Sequence, residues 1–64
     1  MKTYRVDLVF ESDGGRIRTK RIGRYRSIEK AMKAAKRAAG RNASFVKKGI
    51  DMMYVGPNGA AYFG

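Results

Sequence analysis

The chain has no cysteine and no histidine among its 64 residues. Without cysteine no disulfide and no thiolate metal site can form. Without histidine the commonest zinc ligand and the usual general base near neutral pH are missing. Proline occurs once, at Pro57, and tryptophan not at all. Long apolar runs are missing too. Nothing approaches the roughly 20 consecutive apolar residues of a membrane helix, and Arg5 and Asp7 interrupt what would be a signal peptide's apolar segment. A soluble, intracellular (cytoplasmic) protein with no membrane association is the expectation. There is no thiol nucleophile and no His base, and Asp7 and Glu11 are poorly organised as a two-carboxylate metal site. The expectation is a non-enzymatic protein with no cofactor and no metal.

Acids are the scarcest chemistry: five Asp and Glu stand against fifteen Lys and Arg, a formal net charge of +10. The imbalance is regional. Thirteen of the basic residues lie between Arg16 and Lys48, with Glu29 the single acid among them. Outside that stretch Lys2 and Arg5 face Asp7, Glu11, Asp13 and Asp51. A concentrated field of one sign on a small body attracts polyanions over long range. Nucleic acid is the commonest such partner, because Lys and Arg neutralise phosphates and release counterions.

The length implies one domain, residues 1–64, with a small core, since a chain of this size buries only about 60% of its unfolded surface. Tyr4, Val6, Leu8 and Phe10 alternate with Thr3, Arg5, Asp7 and Glu11, the period of a strand with one buried face. Ser12-Asp13-Gly14-Gly15 is turn chemistry, so a second strand from about Arg16 to Arg26 completes a hairpin. Ile17 and Ile22 of that strand are an odd number of residues apart. A bulge near Arg21–Gly23 would bring Ile22 back to the core side.

Ser27 suits a helix N-cap, and Glu29 places negative charge in the first turn, which the helix dipole favours. Ile28, Ala31, Met32, Ala35, Ala38 and Ala39 recur at helical spacing, and Gly40 follows. The helix is expected over Ile28–Ala39 with Met32 in the core. Ser44–Lys48 and Ile50–Val55 read as one long strand or two pieces broken at Gly49. Gly56-Pro57-Asn58-Gly59 is a turn, and Ala60–Phe63 forms a last strand. The expected fold is α+β, ββαββ, with an antiparallel sheet in the order 2-1-3-4 and the helix on one face.

The basic second strand is the leading candidate site. Arg16, Arg18, Lys20, Arg21, Arg24 and Arg26 crowd eleven positions, and Arg5 can join them from the first strand. If Ile17 faces the helix, Arg16, Arg18 and Lys20 point from the open face. A two-stranded ribbon fits the DNA major groove, where Arg bonds guanine O6 and N7 together. Protecting an edge strand from aggregation would need only two or three charges. Lys30, Lys33, Arg37 and Arg41 of the helix region form an ordinary solvated polar face and are secondary phosphate contacts in the binding reading. They would lie on the side of the domain opposite the strand arginines. Core packing accounts for most of the aromatics, but Tyr62 and Phe63 are adjacent, so one of them must face outward. Met52–Val55 is apolar on both strand faces. Met53, Val55, Tyr62 and Phe63 are therefore candidate self-association residues for a homodimer.

The function expected is nucleic-acid binding, with duplex DNA favoured over RNA, mainly through the second strand. The alternative is a regulator or inhibitor that docks an acidic partner protein.

Overall fold

The structure, a computed structural model, describes residues 2–64. The elements run β1 (Tyr4–Glu11), β2 (Ile17–Tyr25), α1 (Ile28–Ala39), β3 (Ser44–Lys48), β4 (Asp51–Gly56) and β5 (Gly59–Phe63). The class is α+β, one antiparallel sheet with one helix, but the sheet has five strands in the order β2-β1-β5-β4-β3. The expected ββαββ order 2-1-3-4 is corrected on two counts. Residues 44–56 form two strands joined by a tight turn at Gly49-Ile50, where Gly49 takes the positive φ (63°) that hairpin turns of this length demand. The C-terminal strand is central, not an edge. Composition explains the order. β5 carries no charge and buries Ala61 and Phe63, whereas β3 ends in Lys47-Lys48, side chains suited to an exposed edge.

The helix bounds match the sequence pattern. Ser27 Oγ accepts from the Lys30 backbone N–H at 3.2 Å, and Glu29 sits in the first turn. Ala31, Ala35 and Ala39 are fully buried along the sheet-facing stripe. Met32 is only half-buried and packs at the margin of the core. Small side chains bring the helix close to the sheet, chiefly over β5 and β1. At its C-terminal end the approach reaches backbone contact. A Cβ at Gly56 would run into the Ala39 carbonyl, and that carbonyl accepts the Asn58 N–H at 2.8 Å. The turn between β4 and β5 thus satisfies an acceptor that the last helical turn leaves free.

Val6, Leu8, Ala61 and Phe63 complete the core from the sheet side. Phe63 also joins an aromatic cluster with Tyr54 and Phe45, its ring centroid 5.7 Å from that of Tyr54 and 6.1 Å from that of Phe45. β3 lies at the margin of the helix's footprint, and Phe45 there is 48% exposed.

Candidate nucleic-acid interface

The β1–β2 hairpin is longer than the sheet that supports it. β5 pairs with β1 from Val6 to Val9. Beyond Val9 the hairpin continues as a two-stranded ribbon to a turn at Ser12–Arg16, closed by the Ser12 N–H donating to the Arg16 carbonyl at 2.7 Å. Every residue from Asp13 to Arg21 is exposed. The molecule is accordingly elongated, 39 × 23 × 20 Å.

Register assigns the faces, because directly paired residues share one. Tyr4 pairs with Tyr25, Val6 with Gly23, Leu8 with Lys20 and Phe10 with Arg18, all on the helix side of the sheet. Arg5 pairs with Arg24, Asp7 with Arg21, Val9 with Thr19 and Glu11 with Ile17 on the open side. The expected bulge is present, between Val6/Asp7 of β1 and Arg21–Gly23 of β2, and it leaves Ile22 packed against the core.

The expected face of Ile17 is corrected. It lies on the open side, 70% exposed. It sits on the ribbon, past the sheet's supported part, where no core exists for an apolar side chain to join. The correction inverts the strand: Arg18 and Lys20 share the helix's side, and Arg21 and Arg24 share the open side with Arg5. Arg16 lies in the turn at the ribbon's tip, and Arg26 lies between β2 and the helix N-cap. Strand and helix cations are therefore not segregated on opposite sides. β2 is an edge strand with basic side chains on both faces.

Few acids offset this charge. Arg5 Nε lies 2.8 Å from Asp7 Oδ2, and this is the one ion pair among the described residues. Asp7 Oδ1 is buried without a hydrogen-bond partner. Arg5 and Arg24 oppose each other directly across the strands, an arrangement that costs stability unless an anion intervenes.

On the helix, Lys30, Lys33 and Arg37 flank a recess that opens toward Tyr25 of β2. Arg41 belongs with Lys33, Lys36 and Arg37 to a second groove past the helix C-terminus. Tyr25 was not among the expected binding residues. Its signal in the sequence is Gly23 two positions earlier, which on one strand face leaves room for a ring to lie flat. Of the self-association candidates, Met53, Val55 and Tyr62 share the open face. Phe63 does not, being 5% exposed on the helix side.

Among the described residues no group of His, Cys, Asp or Glu gathers as a metal site, and no helix is long and apolar enough to cross a membrane. Set against protein-family models, curated proteins and solved structures, the chain matches none, so the reading of this surface rests on its own geometry.

Proposed function

We propose that this protein is a non-enzymatic nucleic-acid-binding module that engages double-stranded DNA mainly through β2 and the ribbon it forms with β1. The observation that carries the reading is the charge of β2. Arg18, Lys20, Arg21 and Arg24 occupy both faces of an edge strand, with Asp7 the one acid paired across from them. Edge protection alone does not require this, since β3 has two lysines. The projecting ribbon supports duplex DNA over RNA, because a B-form major groove admits such a ribbon and an A-form one is too narrow.

Titration of a labelled duplex at several salt concentrations tests the reading. Five or six phosphate contacts give a log–log slope of about −5, at roughly −0.9 per contact. No binding at low salt, or a flat slope, removes the proposal and leaves the alternative, a regulator that docks an acidic protein. Self-association through Met53, Val55 and Tyr62 belongs to the same reading. Charge repulsion between copies weakens as salt screens it, so sedimentation equilibrium in high salt should show dimers that Met53→Lys abolishes. Monomers at every salt would discard that part.

A further inference from the structure

The recess between α1 and β2 has a volume of about 240 Å³ and is lined by Tyr25, Lys30, Lys33, Ala34 and Arg37. Its parts are chemically distinct. Tyr25 is half-buried and packs over Gly23, where an added Cβ would lie 3.3 Å from its Oη and 3.5 Å from Cε2 and Cζ. The missing side chain lets the ring lie against the strand. Opposite, Lys30, Lys33 and Arg37 project from one flank of the helix at spacings of three and four residues. At about 1.5 Å per residue they form a row roughly 10 Å long, which lets cations follow a backbone past the ring. Glu29, four residues before Lys33, forms no ion pair with it among the described residues. Arg18 and Lys20 stand on the same side of β2, farther along toward the ribbon.

An aromatic surface beside a row of cations is how proteins hold single strands. Any base can stack on the ring while the cations follow the backbone. The recess is far too small to seat a duplex. We infer that the α1–β2 groove receives one unpaired nucleic-acid strand, with a base stacked on Tyr25 and its phosphates on Lys30, Lys33 and Arg37. This rests on the nucleic-acid reading above and narrows its ligand class. The preferred ligand is duplex with a single-stranded extension, the ribbon engaging the paired part and the groove the unpaired part.

The test compares the affinity of the full chain for blunt duplex and for the same duplex carrying a short unpaired extension. One stacked base should make the tailed DNA bind about tenfold more tightly. Tyr25→Leu should remove that ratio while leaving blunt-duplex binding in place, and Tyr25→Phe should keep it. Lys33→Gln combined with Arg37→Gln should also reduce the ratio. These two side chains are exposed, so the double variant decides the matter even if Tyr25→Leu fails to fold. Equal wild-type affinity for tailed and blunt DNA overturns the inference, as does a ratio that survives either the helix double variant or a folded Tyr25→Leu. Binding to neither DNA sinks the nucleic-acid reading itself, a result distinguishable from failure of the groove alone.

Discussion

β1 has two neighbours of opposite character. On one side β5 is uncharged, short, and contributes Ala61 and Phe63 to the core. On the other, β2 is longer, carries four basic residues, and contributes to the core only through half-buried Ile22, Gly23 and Tyr25. Both pair with β1 through antiparallel backbone ladders. What differs is what each does with its side chains. The fold concentrates burial in β5, β1 and the alanine stripe of α1, and this leaves β2 free to place charge at Arg18, Lys20, Arg21 and Arg24, on both of its faces. Stability and the proposed binding thus reside in separate strands, and substitutions should affect one without the other.

The largest separation is expected between two big apolar residues. Phe63→Ala removes a buried ring from β5 and should cost about 3–5 kcal/mol. Total stability is about 5 kcal/mol at the low end for small domains, so this variant should keep no more than about 2 kcal/mol and unfold at far lower urea. Ile17→Ala on the ribbon of β2 should change stability by no more than about 0.5 kcal/mol, as exposed positions do. Urea unfolding of the two variants checks the contrast, and similar losses would mean that the ribbon is packed against something.

A smaller effect concerns the other edge. Lys47→Gln with Lys48→Gln removes both basic residues of β3, where charge serves to discourage edge pairing. Duplex affinity should fall less than about tenfold, while aggregation monitored by light scattering should rise. A large affinity loss would extend the interface across the whole sheet. The smallest effect is expected at Asp7→Asn. The Arg5–Asp7 pair is partly in solvent, with side-chain exposures of 49% and 23%. Its loss should therefore cost less than about 1 kcal/mol. Freed from the carboxylate, Arg5 should tighten duplex binding by a few-fold and steepen the salt slope by up to about 1. Weaker binding by this variant would show that Asp7 positions Arg5 for the ligand instead of neutralising it.

Local features of this fold were legible in the sequence because their causes are local. The Ser27 cap, the alanine spacing of α1 and the bulge beside Gly23 each depend on neighbours within a turn or two. Strand order was hard to read, since the β1–β5 pairing joins strands far apart in sequence and no turn between them announces it. Composition held a clue, because a charge-free strand such as β5 is poorly suited to an edge. The candidate site was half legible. Its residues stand out as a run of Arg and Lys, but their division between faces depends on where the sheet stops supporting the ribbon. Ile17 misleads because alternation marks a core face only where a core exists. Tyr25 reads from the sequence as a core aromatic, and the structure does pack it against the core while leaving it half-buried at the recess.

The separation of roles is tested most directly by two variants of equal charge. One replaces Arg18, Lys20, Arg21 and Arg24 of β2 with Gln. The other replaces Lys2, Lys36, Lys47 and Lys48, all exposed and outside β2. Each removes the same four positive charges from a chain of net +10. Duplex titration over a salt series, with unfolding midpoints as the control for folding, compares them. The β2 variant should lose about a thousandfold in affinity at roughly 1 kcal/mol per contact, and its salt slope should become shallower by about 3 to 4. The second variant should lose less than about tenfold. Equal losses from both would show that binding follows total charge and that β2 is not the interface.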